Sequence, residues 1–407
     1  MNFSEFISEQ KNTHMTHIED KVLYGGVKGT REAILALRSL RDTLGGVHDG
    51  SVSVKWDGAP AIFAGIDPRN GNFFVAKKGI FNKSPKVYYT AADVSADTSG
   101  DLADKLKQAL EYLPSLGIKG VIQGDFLFSK SDVRTTKIKG KPYITFHPNT
   151  IVYAIPANTE MAKIIKKAKI GIVWHTSYSG NSFETMKASY GVNISKLNKN
   201  PNVWSQDAML RDMTRFTMSK KDTEEVNEYL SNAGFLFNQI SSTTLKALES
   251  NQDLAQLIET YNNTFVRKGQ VIQDTNRHVV GLINWIKKKY QKEIDARKTE
   301  KGKAGQQAKL SKILVFFSQK NKNNLKKMFD LQKVIVLAKL KIINILDKLN
   351  RTKTFLKTNR GYRSTGQEGY VAIDKLGGDA VKIVDRMEFS FANFSPNIIK
   401  GWDKPRR

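Results

Sequence analysis

The sequence predicts an α+β chain in which antiparallel sheets and helices occur early and late, with a mostly helical, basic insertion between them. Three observations predict it. Short apolar runs bounded by turn residues crowd residues 51–156 and return after Gly361. Between about Asn200 and Asn350 such runs nearly vanish, and apolar residues recur at helical spacing instead. Positive charge gathers late in that stretch: residues 281–360 hold 22 Lys/Arg against 5 Asp/Glu, out of a net +26 for the 407 residues.

Taken in order, the first fifty residues read as helical. Thr30-Arg31-Glu32 marks a helix start, Ile34, Leu37, Leu40 and Leu44 share one face, and Gly45-Gly46 stops the helix. Strands are expected over Ser51 to Trp56, Ala61 to Ile66 and Asn72 to Ala76, with Asp67-Pro68-Arg69-Asn70-Gly71 as a turn. A helix from Asp101 to Leu113 precedes a strand from Gly120 to Phe128 and another across Tyr143 to Ile155. In the insertion, Met328, Leu331, Ile335, Ala338, Ile342, Ile345 and Leu349 lie on one helix, with Lys326, Lys327, Lys333, Lys339, Lys341 and Lys348 expected on its solvated side. Lys298 to Lys309 reads as a mobile loop, and strands resume over Gly369 to Ile373 and Ala380 to Val384. Residues 1–199 and 356–407 are thus expected to form one domain in two parts, with 200–355 inserted as a nucleic-acid-binding unit.

Composition narrows the functional classes. Hydrophobic residues at 40% and aromatics at 10% can fill a large core. No run of eighteen uncharged apolar residues and no basic-then-apolar leader is present, so a soluble, unexported cytoplasmic protein, acting as a monomer away from membranes, is expected. The absence of cysteine excludes disulfides, thiolate zinc sites and cysteine nucleophiles. A charge of +26 attracts polyanions through counterion release, which makes nucleic acid the expected partner over a merely solubilising lysine surface.

The chemistry centres on Lys55-Trp56-Asp57-Gly58, at the end of a strand. A lysine there can be held against a nucleotide pocket, and the glycine lets the backbone approach a phosphate. Free lysine is a poor nucleophile, with a pKa of ~10.4; neighbouring cations, a second lysine or a divalent metal, are needed to favour the neutral amine. Ordinary alternatives are a surface lysine, a simple Asp-Gly turn, and core roles for Trp56 and Phe63. His48 and His147 are lone histidines, and no His/Asp cluster has metal-ligand spacing, so magnesium held by carboxylates and phosphate is expected.

Here the sequence resembles the covalent nucleotidyltransferase superfamily of ATP-dependent DNA ligases, RNA ligases and mRNA capping enzymes, which carry ordered motifs around a Lys-any-Asp-Gly nucleophile. Lys55-Trp56-Asp57-Gly58 is similar to the first motif, and Val75-Ala76-Lys77-Lys78-Gly79 to the next, with Lys78 in place of an arginine that contacts ribose. Val121-Ile122-Gln123-Gly124-Asp125-Phe126 looks like the third, with Asp125 in place of a glutamate. The Tyr143 to Ile155 region stands where relatives place an aromatic platform for the base, here Phe146 or Tyr153. Gln367-Glu368-Gly369-Tyr370-Val371 resembles the fourth motif, and Val381-Lys382-Ile383-Val384 the fifth, with Val384 where a second lysine is usual and Lys375 or Lys77 as the substitute charge. Pro60 also replaces a residue that is often polar or basic. From Asn12 through the first motif the chain is also similar to ligase-like proteins of large tailed phages, which would place it in the host cytoplasm.

The resemblance implies a ligase-type domain using ATP and Mg2+. Lys55 would be the catalytic nucleophile; Asp57, Gly58, Lys78, Asp125, Phe146, Glu368 and Lys382 would bind the cofactor, with Asp125 and Glu368 on the metal. The implied reaction joins 5′-phosphate and 3′-hydroxyl ends through lysyl-AMP, with RNA or mixed RNA/DNA ends favoured. A DNA nick-sealing ligase, a GTP-using guanylyltransferase and a non-catalytic nucleic-acid-binding protein are the alternatives.

Overall fold

The computed structural model describes residues 16–47, 51–209, 218–349, 352–373 and 380–403. The Asn12-Thr13-His14-Met15 stretch, His48 and Lys375 lie outside them. Helices α1 (Lys21–Tyr24) and α2 (Gly26–Leu44) come first, then strands β1 (Ser51–Lys55), β2 (Ala61–Ile66), β3 (Phe73–Ala76) and β4 (Val87–Tyr88). Helices α3 (Ala91–Asp97) and α4 (Gly100–Tyr112) lead to β5 (Val121–Ser129), β6 (Arg134–Ile138), β7 (Lys141–Phe146) and β8 (Ile151–Pro156). After α5 (Glu160–Lys167) come β9 (Ile170–Ser179), β10 (Lys187–Tyr190) and β11 (Val203–Asp207). Six helices follow: α6 (Lys220–Gln239), α7 (Ser242–Ser250), α8 (Gln252–Arg267), α9 (Thr275–Asp295), α10 (Glu300–Phe316) and α11 (Lys322–Leu349). The chain then returns to β12 (Lys353–Thr358), β13 (Gly361–Thr365), β14 (Gly369–Ile373) and β15 (Ala380–Ile383), and ends with α12 (Arg386–Phe394) and β16 (Ile398–Ile399).

The strands form three sheets, antiparallel except where β11 joins β9. A seven-stranded sheet runs β10-β9-β5-β2-β3-β4 with β11 also on β9; a six-stranded sheet runs β13-β12-β8-β7-β6 with β16 also on β12; and a small sheet runs β1-β14-β15. Pleating explains how the large sheet is covered on both sides. Ile62, Ala64, Val75, Ile122 and Phe126 pack with Leu106 and Ala109 of α4, while Phe63, Phe74, Ala76 and Val121 pack with Phe183 and Met186.

The small sheet is anchored by its opposite face. Val52 and Val54 of β1, Tyr370 of β14 and Ile383 of β15 share one core with Leu37 and Leu40 of α2 and with Ile335, Ile342 and Leu346 of α11. The helices from 220 to 349 are therefore built directly onto the back of β1-β14-β15. Emptying such a position, for example Leu37→Ala, costs about 2–5 kcal/mol in comparable cores.

Several expectations are corrected. Tyr143 to Ile155 is not one strand but the hairpin β7–β8, because the chain reverses at His147-Pro148-Asn149-Thr150. Lys298 to Lys309 falls largely within α10, whose first turn is capped by Thr299 accepting from the Gly302 N–H at 3.1 Å. β11 lies inside the stretch read as strand-poor. Most of the α11 lysines expected on a solvated side are engaged by other groups instead, though Lys348 is exposed: Lys339 is buried against both oxygens of Glu19 at 2.8 Å, Lys326 pairs with Asp330 at 2.7 Å, Lys341 with Asp222 at 2.8 Å, and Lys333 donates to the Gln273 carbonyl at 3.0 Å. Exposed positive charge sits instead on α9, α10 and the turn between them, at Lys287, Lys288, Lys292, Arg297, Lys298, Lys301 and Lys312. Among the described residues no helix is long and apolar enough to cross a membrane.

Candidate active site

β1 carries Lys55 into the middle of the molecule with both edges held. Its antiparallel partner β14 places Lys55 opposite Gly369 and Ser53 opposite Val371, and β15 places Lys382 opposite Val371 in turn. On the other edge, the Val54 N–H donates to the Ala208 carbonyl at 2.8 Å. Alternation then puts Ser53, Lys55 and Lys382 on the sheet face turned away from Val54 and Ile383. Glu368, the residue before β14, forms an ion pair with the Lys55 ammonium. Glycine is needed at 369 because a Cβ there would stand 2.5 Å from the Ile383 carbonyl oxygen.

The seven-stranded sheet supplies the other wall. Asp125 lies on β5 next to Ala61 of β2, and a Cβ on Gly58 would stand 2.5 Å from the Asp125 Cβ. Gly58 thus lets the chain after Lys55 press against β5; the close neighbour is protein. His175, from β9, places Nε2 3.9 Å from Asp125 Oδ2 while Nδ1 and the Thr176 hydroxyl are 2.7 Å apart. Lys78, at the start of the 3-10 turn Lys78–Phe81, is exposed but close enough to pull on the Asp125 charge.

Electrostatics show what these groups do to one another. For Lys55, burial disfavours the ammonium, but Glu368 and then Asp125 and Asp57 outweigh it and hold its pKa above the ordinary lysine value. Burial pushes the Asp125 carboxyl up to about 7, with Glu368 and Asp57 adding to the push and Lys55 and Lys78 opposing it. The same loss of solvent, reinforced by Lys55, moves Lys382 below its usual value and His175 down to about 4. Lys55, Lys78, Asp125, Glu368 and Lys382 thus act on one another's charges in one place, although they come from four separate stretches of chain.

Other expected site residues have different employment. The Asp57 carboxylate accepts from Asn149 Nδ2 at 2.6 Å and from the N–H groups of Thr150 and Ile151 at 2.7 and 2.8 Å, so it clamps the β7–β8 turn beneath Lys55. Burial, with Glu368, still raises it to about 6. Phe146 is a correction: at 1% exposure it packs against Phe128 and Tyr153, with ring centroids at 4.9 and 5.4 Å, and has no face to offer a base. Tyr153 is equally buried and accepts the Asp57 N–H on its hydroxyl at 2.6 Å. Trp56 lies over Tyr153 as core or pocket wall, with centroids 4.7 Å apart. Lys77 pairs with Asp97 at 3.1 Å, so it does not replace the absent second lysine, and Val384 is packed in the core over Gly369. His147 Nε2 lies 3.3 Å from the Thr150 carbonyl oxygen, in the turn that Asp57 clamps.

Sequence reasoning missed His175 altogether. Its signal was a lone histidine in an apolar strand that itself went unread; a continuous buried run, Ile170 to Trp174, could have revealed the strand but not its partner. It also missed a second charge cluster behind Lys382, where the His17 backbone pairs with that of Lys382 in an isolated β-bridge and Arg386 meets Asp20 at 2.8 Å and Glu19 at 3.6 Å.

Among the described residues no group of three or more His, Cys, Asp or Glu is arranged to hold a metal ion unaided. Two carboxylates, Asp125 and Glu368, flank the lysine, and magnesium commonly takes one or two carboxylates with substrate phosphates completing its shell. The donor set therefore fits a metal that arrives with a nucleotide.

A family of unknown function, DUF6267, has a model that matches residues 12–398, so the chain belongs to that family. Comparison with curated proteins and with solved structures gives no match.

Proposed function

We propose that this member of the family is an ATP-dependent polynucleotide ligase working through a lysyl-AMP intermediate on Lys55, within a ligase-type nucleotidyltransferase fold. The observation that carries the reading is the meeting of Lys55 with Glu368, within reach of the charges of Asp125 and Lys382, with Lys78 acting on Asp125, around one half-buried amine. A chance Lys-any-Asp-Gly match does not bring with it the other four residues that the motif order pairs with it.

In the proposed reaction Lys55 Nζ attacks the ATP α-phosphorus; a P–N bond forms, the bond to the β-phosphate oxygen breaks, pyrophosphate leaves, and the amine proton passes to solvent. A 5′-phosphate oxygen then takes the AMP and frees Lys55. A 3′-hydroxyl next attacks the 5′-phosphorus and displaces AMP. Lys382 and Lys78 neutralise phosphate charge, and His175 and Asp57 fix the carboxylate and the β1 end. Magnesium held by Asp125 and Glu368 would supply charge neutralisation at the phosphates. Glu368 has a second part to play: paired with Lys55 it keeps the amine protonated, so engaging it elsewhere releases the nucleophile. The exposed lysines of α9 and α10 would hold the polynucleotide by its phosphates.

A non-catalytic nucleic-acid-binding protein is the second reading, favoured by Val384 in the core and by the Lys55–Glu368 pair. One experiment separates them and settles the nucleotide. Incubation with magnesium and α-labelled ATP or GTP is expected to label the wild type from ATP and leave Lys55→Ala unlabelled. Labelling from GTP alone would mean a guanylyltransferase, and no adduct in either case would leave only binding.

A further inference from the structure

Beside Glu368 the chain forms a half-open concavity of about 430 Å³, within the range of roughly 300–1,000 Å³ typical of small-ligand sites. It lies between the β6–β7 hairpin, the β12–β13 hairpin and the end of α11, on the six-stranded sheet rather than on the face that carries Lys55.

Its lining has three kinds of chemistry. Tyr143 and Phe355 give aromatic walls, edge to face with centroids 6.2 Å apart, and Ile138 completes the apolar side. Lys139, Lys141 and Lys353 are exposed around it. Gln367 is 2% exposed; its Nε2 donates to the Thr352 carbonyl at 3.3 Å, and its Oε1 has no hydrogen-bond partner among the described residues. Asp347 also lines the cavity, with Oδ1 accepting from the Tyr370 hydroxyl at 2.6 Å and from the Gln367 N–H at 3.2 Å.

A buried acceptor left unpaired is destabilising, and a ligand's donor would recover that loss. The three features together ask for a molecule with an anionic group for the lysines, a planar ring for the aromatic walls and a hydroxyl for the buried acceptors. A nucleotide has all three. We infer that this cavity seats one nucleotide of the polynucleotide acceptor, with phosphate against Lys139, Lys141 and Lys353, base against the half-buried Tyr143 that packs on Phe355, and a sugar hydroxyl donating to Gln367 Oε1. The inference rests on the ligase reading. Because Gln367 is joined directly to Glu368, a nucleotide held here leads the acceptor toward Lys55.

The test uses the full chain with two variants: Lys139→Ala, Lys141→Ala and Lys353→Ala combined, and Ser364→Trp, which fills the cavity from an exposed position opposite Phe355. Each protein is first adenylylated with ATP, then chased with a 5′-phosphorylated oligonucleotide. Adduct formation is expected to stay within about twofold of wild type, which also shows that the site is folded, while AMP transfer falls about tenfold or more, a loss of ~1.4 kcal/mol. Wild-type transfer rates in both variants would overturn the inference. If the wild type forms no adduct, the ligase reading fails and binding decides the cavity. Binding of a labelled 5′-phosphorylated oligonucleotide about fivefold or more weaker to Ser364→Trp supports it, and equal binding overturns it.

Discussion

Around Glu19, each acid has a cation in direct contact: Lys339 gives its ammonium to both Glu19 oxygens at 2.8 Å, and Arg386 holds Asp20 at 2.8 Å, although burial still pushes Asp20 up to about 7 and leaves its Oδ1 without a hydrogen-bond partner among the described residues. Around Lys55, the matching is incomplete. Glu368 takes the lysine, but the contact Asp125 makes with an ionisable partner is His175 at 3.9 Å, and Asp125, His175 and Lys382 are all displaced from their ordinary pKa values. The two clusters adjoin, since the His17 backbone pairs with that of Lys382 and Arg386 acts on the Lys382 charge. Acids held at short range by a cation fix one arrangement of the chain; acids and lysines that shift one another without such a contact are candidates to take up a ligand.

The largest effect is expected where pairing is tightest. Lys339→Met leaves Glu19 charged and buried, and should lower the unfolding free energy by about 3–5 kcal/mol in urea titrations followed by circular dichroism, with much of the loss restored by Glu19→Leu in the same chain. A loss under about 1 kcal/mol would mean that Glu19 finds another partner and that the contrast between the clusters is false.

Next is Glu368→Gln. It should cut the proposed lysyl-AMP formation about 100-fold, because the proposed metal ligand is lost, yet change unfolding by no more than about 1 kcal/mol, because the pair is partly open to solvent. Adduct formation at the wild-type rate would assign Glu368 a purely structural role.

The smallest effect sharpens the comparison most. The Asp125 carboxyl is raised to about 7 in the folded chain against an ordinary value of 3.8, so the folded state holds the proton more tightly. Its stabilising share is complete below pH ~4 and is lost as pH rises through about 7. Asp125→Asn should therefore gain about 1–2 kcal/mol at pH 8, with no gain near pH 4. Adenylylation in the wild type should fall as pH drops below about 7, because Asp125 takes up a proton and can no longer serve as the proposed metal ligand, while the falling pH shrinks the neutral fraction of Lys55 by more than loss of the Asp125 charge restores. A variant that is no more stable at pH 8 would show that Asp125 is an ordinary, compensated acid.

Much of the site's membership could be read from the sequence because residue type and order carry it. Lys55, Glu368 and Lys382 come together through strand pairing whose short apolar runs were visible at Ser51 to Trp56, Gly369 to Ile373 and Ala380 to Val384. What failed was anything decided by a distant neighbour. Phe146 looked like a platform because alternation does not say that Trp204, far along the chain, will close over it, with ring centroids 6.4 Å apart. The lysines of α11 looked solvated because Glu19, Asp222 and Gln273 approach them only in three dimensions. Lys298 to Lys309 looked like a loop because it lacks an apolar stripe, yet helix-forming lysines, alanines and glutamines outweigh its two glycines.

The sheet that presents Lys55 pairs residues 51–55 with 369–373, and those with 380–383. During synthesis the strand that carries Lys55 must therefore wait, with its eventual neighbour unwritten, while β2 to β13 and α3 to α11 are made. Closure of so long a loop is slow and comes late. A polypeptide released before β14 would carry Lys55 without Glu368 and Lys382, so the proposed nucleotide chemistry would be possible only once translation had passed them.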